Sequence, residues 1–137
     1  MSLTRLARRK GFQCMHRYAN SRWSEERNQT EFGACFTPHG HGHNYECEVY
    51  FEGEVNRETG MIVNLVDVDQ LLGKVLNPLD GKHLNFEIDD FKERIPTTEN
   101  IALWISDQLM RNFRIPGVRL VKVRLYEYED LWVDVWP

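Results

Sequence analysis

No apolar run in the 137-residue chain comes near the roughly 20 residues that a membrane-spanning helix requires. A dense basic stripe is equally missing. The balance is 17 basic against 21 acidic residues, a net charge of −4, which argues against a phosphate-backbone binder and leaves nucleic acid out as a partner. Cysteine is scarce, with Cys14, Cys35 and Cys47 odd in number and without close CxxC pairing. That pattern favours free thiols in a reducing compartment. Arg5, Arg8, Arg9 and Lys10 lie near the amino end, but no apolar run follows them, so an ordinary signal peptide is not expected. The expected location is cytoplasmic. No internal repeat, low-complexity tract or Pro/Ser-rich linker divides the sequence, and residues 1–137 read as one domain.

What is present is an ordinary globular balance, 42% apolar and 28% charged. Residues 3–15 are compatible with a strand of blurred alternation. Residues 20–33 are polar and charged and read as a long mobile loop. The clearest strand is 45–54, where Tyr45, Cys47, Val49 and Phe51 alternate with Glu46, Glu48, Tyr50 and Glu52. Residues 56–60 read as a turn, and 61–64 as a short apolar run pairing back. Apolar positions at 65, 68, 72, 75 and 76 predict a helix that Pro78 ends. Thr97 and Thr98 offer N-cap hydroxyls to a second helix, with Glu99 in its first turn and a stripe of Ile101, Trp104, Ile105 and Leu109. Val121, Val123 and Leu125, then Leu131, Val133 and Val135, predict a terminal hairpin. The class is therefore α+β, with an antiparallel four-stranded sheet and two helices on one face. Such a sheet has two exposed edges, and oligomerisation through them is expected.

Chemistry concentrates in Pro38-His39-Gly40-His41-Gly42-His43-Asn44-Tyr45, which runs straight into the best strand. Residues two apart in an extended chain face the same side, so His41 and His43 can hold one ion together. The intervening glycines permit close backbone approach. Three neutral imidazoles suit zinc and leave one position open for Lewis-acid work. His16, ending the first strand, is the natural third ligand; His39 and His83 compete for that place.

Several segments in order resemble the 6-pyruvoyl-tetrahydropterin synthase and 6-carboxytetrahydropterin synthase family. They are Phe12-x-x-x-His16, Cys35 followed by His41-Gly42-His43-Asn44-Tyr45, Thr59-Gly60-Met61-Ile62-Val63-Asn64-Leu65, Pro78-Leu79-Asp80, Leu84-Asn85, Pro96-Thr97-Thr98-Glu99-Asn100 and Tyr126-Glu127. The spacing from Cys35 to His41 matches the pyruvoyl branch, while Cys35 to His39-Gly40-His41 matches the carboxy branch. The Gly42-His43-Asn44-Tyr45 register favours the former.

The resemblance implies the tunnelling fold (T-fold), with subunit sheets joined into a trimeric barrel and two barrels stacked as a homohexamer. It assigns Zn2+ to His16, His41 and His43. It casts Cys35 as a base, Asp80 as part of a second proton-transfer element, and Glu127 as the pterin anchor with Thr97, Thr98 and Glu99 nearby. The implied reaction is lyase chemistry on 7,8-dihydroneopterin triphosphate, by triphosphate elimination, in tetrahydrobiopterin biosynthesis. The alternatives are carboxy-forming or aldolase-like reactions of queuosine or folate biosynthesis, or a catalytically impaired binder of pterin and zinc. The last arises because the family's histidine after Asp80 is replaced by Gly81, which cannot carry a proton. His83, two residues on, is the candidate substitute in a locally extended chain. Loss of one acid–base partner costs about 10² to 10⁴ in rate.

Overall fold

The computed structural model describes residues 2–137. Two 14-residue strands, β1 (Leu3–His16) and β2 (His41–Glu54), pair antiparallel with His16 opposite His41 and Cys14 opposite His43. β2 pairs in turn with β4 (Val118–Tyr128), and β4 with β5 (Leu131–Val135), both antiparallel. These are the four strands expected. A fifth, β3 (Lys82–His83), lies parallel to β1 opposite Cys14 and Met15, giving the order β3-β1-β2-β4-β5. A two-residue strand has no periodicity to read, which is why the sequence did not announce it.

One face of the sheet is covered by α2 (Leu65–Leu76) and α4 (Thr98–Asn112). Val68, Leu71, Leu72, Val75 and Leu76 of α2 meet Ile101, Ala102, Trp104, Ile105 and Leu109 of α4 over Tyr45, Cys47, Val49 and Phe51. The caps explain the boundaries. Asn64 Oδ1 accepts from Val66 N at 2.9 Å, and Thr97 Oγ1 from Asn100 N at 3.1 Å, so Thr97 rather than Thr98 caps α4. Pro78 follows the last turn of α2.

Two expectations are corrected. Residues 20–33 are not one long loop, for Glu25–Phe32 form α1. Ser24 Oγ caps that helix from Arg27 N at 3.1 Å, with Glu25 and Glu26 in its first turn. Its only buried residue is Asn28, whose side chain binds the backbone of Asn20 and Ser24. Caps, not an apolar stripe, define this helix, so a search for periodicity passes over it. Residues 61–64 do not form a strand; Met61 O accepts from Asn56 N at 2.9 Å, closing a turn, and Val63 alone of the four is buried. A short helix, α3 (Leu84–Glu87), follows β3. Among the described residues no helix is long and apolar enough to cross a membrane.

Candidate metal centre and its surroundings

The inner face of the sheet is apolar under the helices and becomes polar at one end. Phe12 and Cys14 precede His16 on β1, His41 and His43 precede Tyr45 on β2, and Leu125 precedes Glu127 on β4, all on the parity of the core. The β4–β5 register shifts between Tyr126 and Tyr128, leaving Glu127 at a bulge. Bulges re-aim a side chain in this way.

One ligand atom from each of His16, His41 and His43 lies within 4.8 Å of the others. A tetrahedral zinc holds nitrogen ligands roughly 3.4 Å apart, so one ion fits with small adjustments. Three further observations test the fit. His16 Nδ1 lies 2.7 Å from the carbonyl of Pro96, an acceptor only, so Nδ1 carries the proton and Nε2 presents a lone pair. That Nε2 faces His41 Nε2 at 3.0 Å, where at least one of the two is a lone pair. His43 Nε2 is buried without a hydrogen-bond partner: Glu127 Oε1 is 3.2 Å away, but the alignment is not that of a hydrogen bond. Burial lowers the His43 imidazole, which works against the protonated form that an ion pair with Glu127 requires. The donor set fits a divalent ion.

The electrostatics agree. Burial holds the fully enclosed His16 down to about 4, and its two imidazole neighbours act in the same direction against the Pro96 carbonyl. Burial also lowers His43, with Glu127 opposing. Neutral imidazole is the ligand form.

Gly40 is required by the packing. Its φ is +79°, and a Cβ there would meet His16 O at 2.4 Å. The third-ligand competitors fall outside the cluster. His83 Nε2 donates to the carbonyl of His39 at 2.8 Å and its ring stacks on Phe86, so the His83 side chain serves the turn before His41.

Cys35 is a half-buried free thiol ending a 3-10 turn, and its carbonyl accepts from Tyr18 N at 2.9 Å, which ties it to the segment that follows His16. The Thr98 hydroxyl, buried, donates to Glu127 Oε2. Glu99 is exposed in the first turn of α4. Asp80 Oδ1 accepts from Gln13 N at 2.8 Å and pins β3 to β1. Among the described residues no hydrogen bond or ion pair joins Asp80 or His83 to Cys35. Gly81 has φ +74° and nothing within 4 Å of the position a Cβ would take.

Sequence reasoning missed the aromatic wall. Tyr18 is edge-on to His16 at 5.2 Å, Tyr128 edge-on to His43 at 4.9 Å, and the Tyr45 hydroxyl is 3.2 Å from His16 Nδ1. Burial, then Glu127 and Cys35, push the Tyr18 phenol up to about 12, keeping it a neutral donor. Tyr45 was visible by its core parity; Tyr18 lies beyond the strand and had no such signal. None of the three histidines lines the groove of about 660 Å³, and only His43 lines a smaller hollow of about 310 Å³.

The comparisons agree with the geometry. A family model described as 6-pyruvoyl tetrahydropterin synthase matches residues 5–137. The 6-pyruvoyl tetrahydrobiopterin synthase of Homo sapiens is 38% identical over 126 residues, covering 91% of this chain and 86% of that protein. A dihydroneopterin monophosphate aldolase of Pyrococcus furiosus is 35% identical over 96 residues, covering 69% of this chain and 76% of its own. Among solved structures, the 6-pyruvoyl tetrahydropterin synthase of Caenorhabditis elegans superposes with a TM-score of 0.94 at 29% identity, over 100% of this chain and 97% of that one. With the match spanning nearly every residue, this chain belongs to the 6-pyruvoyl tetrahydropterin synthase family.

Proposed function

We propose that the protein is a zinc-dependent pterin lyase that eliminates triphosphate from 7,8-dihydroneopterin triphosphate. The convergence of three imidazoles beside a carboxylate carries this reading. His16, His41 and His43 would hold the ion, and zinc there would supply Lewis-acid stabilisation of negative charge developing on the substrate side chain. Glu127, oriented by the Thr98 hydroxyl, accepts paired hydrogen bonds from the pterin amino and ring N–H groups. Cys35 takes a carbon-bound proton, the C–O bond to triphosphate breaks, and the remaining proton movements are internal, so the reaction needs no redox partner. Thr97 and Glu99 shape the same end of α4, and Asp80 with His83 is the candidate second proton-transfer element.

Gly81 favours a second reading. With no acid–base group there and Asp80 engaged on Gln13 N, reprotonation is weakened. Slow turnover, side-chain cleavage of the aldolase or carboxy type, or pterin binding without turnover then becomes the outcome. His83→Ala with unchanged turnover would remove His83 from the relay.

We further place the protein in the cytoplasm, consistent with its free thiols, and read it as a homohexamer joined through sheet edges. β5 has a sheet neighbour on one side only, and Leu131, Trp132 and Trp136 are exposed there.

The test is incubation of zinc-loaded protein with 7,8-dihydroneopterin triphosphate, with and without chelator, products being resolved by chromatography. Chelator-sensitive release of triphosphate with a pyruvoyl product is expected. A cleaved or carboxylated product selects the second reading, and chelator-insensitive turnover refutes the zinc role.

A further inference from the structure

Beside the three histidines lies a cation whose hydrogen-bonding capacity the chain does not use. Arg17 directly follows His16. Its Nε is buried without a hydrogen-bond partner, and its guanidinium lies 4.9 Å from the centre of the Phe36 ring. A desolvated, unbonded guanidinium N–H is unfavourable, and an acceptor from outside the chain would relieve it. The side chain is not needed to hold the backbone. Asn85 does that, accepting from Arg17 N at 2.8 Å and donating to Arg17 O at 2.9 Å.

Arg17 opens on the 660 Å³ groove, which Phe36, Asn85 and Lys92 also line. An adjoining pocket of about 300 Å³ shares Asn85 and Lys92 and adds Arg22 and Arg94. The carboxylates on these walls are Glu25 and Glu93, and Lys92 is partly offset by Asp89 at 2.7 Å. Among the described residues Arg17, Arg22 and Arg94 enter no ion pair. A positive groove on a chain of net charge −4 focuses anions. Two of its lining residues, Arg17 and Phe36, directly follow His16 and Cys35 in the chain.

We propose that this groove is an oxyanion subsite for a polyphosphate chain, with Arg17 as its inner ligand and Arg22 and Arg94 further out. The inference rests on the pterin-ester reading and says where the triphosphate goes. As a base takes the carbon-bound proton and the C–O bond breaks, the electron pair leaves on the triphosphate oxygen. The planar guanidinium stabilises that charge by donating paired hydrogen bonds to the phosphate oxygens.

Calorimetric titration of inorganic triphosphate, with magnesium in excess, into zinc-loaded wild type and Arg17→Gln tests the groove without any pterin. Binding roughly ten- to a hundred-fold weaker in Arg17→Gln is expected, with Arg17→Lys between. No binding by wild type, or equal binding by Arg17→Gln, overturns the subsite. Matched zinc content and circular dichroism show that the variant folds; if it does not, Arg94→Gln supplies the comparison and a several-fold loss is expected. In a second arm, 7,8-dihydroneopterin and its triphosphate are bound to Cys35→Ala protein, so that nothing is consumed. Arg17→Gln added to that background should weaken only the ester, and equal weakening of both also overturns the subsite. Arg17-dependent binding of inorganic triphosphate without any pterin binding would instead remove the pterin reading and leave the anion subsite standing.

Discussion

Thr98 is the most informative single position, because one hydroxyl connects stability to recognition. Its donation to Oε2 is the only hydrogen bond that the Glu127 side chain makes among the described residues, and that side chain is only 10% exposed. Thr98→Val keeps shape and branching while removing the donor. A hydrogen bond to a charged group contributes about 1.5–3 kcal/mol, so Thr98→Val should destabilise the fold by about 2 kcal/mol. Thr98→Ser keeps the hydroxyl and removes one buried methyl, a loss of about 0.8 kcal/mol. Urea unfolding should therefore place the Val midpoint below the Ser midpoint, with unchanged slope. Pterin binding should follow the same order, weakened about ten-fold or more in Val because the carboxylate loses its orientation. Zinc content should remain stoichiometric in both, since neither substitution touches an imidazole. If Val proves as stable as Ser and binds pterin equally well, Glu127 is not positioned by Thr98 and the reasoning fails.

Two further predictions separate backbone strain and ionisation from this site. Gly40 and Gly81 both have positive φ, but a Cβ at Gly40 meets His16 O at 2.4 Å whereas one at Gly81 meets nothing. Gly81→Ala should therefore cost about 1–2 kcal/mol of strain alone, while Gly40→Ala should cost more and also lower zinc affinity, because His16 and His41 must move apart. Thermal unfolding and metal analysis of the pair check this, and equal effects would refute it. On the outer face Arg124 grips Asp134 at 2.7 and 3.0 Å, and this pairing holds the Asp134 carboxyl below its ordinary value, with burial opposing and Lys122 assisting. The folded state thus binds fewer protons than the unfolded one just below the ordinary value, about 3.9. The contribution is full above about pH 4 and lost as pH falls through the lower folded value. Urea midpoints of wild type and Asp134→Asn should differ at pH 6 and converge below pH 4; a gap independent of pH would contradict the pairing.

How much of this was legible follows from what each element is made of. β2 reads directly because one face is wholly core. β1 is blurred because Arg8 sits on core parity yet pairs with Asp69 of α2, at 2.9 and 3.0 Å, so a charge interrupts the apolar row for a reason outside the strand. In β4 the register against β2 shifts between Tyr50 and Phe51, where Lys122 and Leu120 are their partners. Val121 is the extra residue and is only half-buried, so alternation from 121 to 125 described the strand correctly and its face only in part. The paired histidines of β2 were visible as a period of two. The atom that fixes His16, the Pro96 carbonyl, was not, because a backbone acceptor has no side-chain signature.

The site is where the core's own alternation continues past the cover of the helices. Rows that begin with Phe51, Val49 and Cys47 on β2 reach Tyr45, His43 and His41, and the row of Phe12 and Cys14 reaches His16. The same burial that makes the first residues of each row stabilising makes the last ones costly to charge, which is why His16 is held to about 4. An imidazole kept neutral by packing is a lone pair kept available for a cation. Core and candidate metal centre are therefore one construction: loosening the layer under Tyr45 would admit water, relieve the burial of His16, and let protons compete with a metal for the same nitrogens.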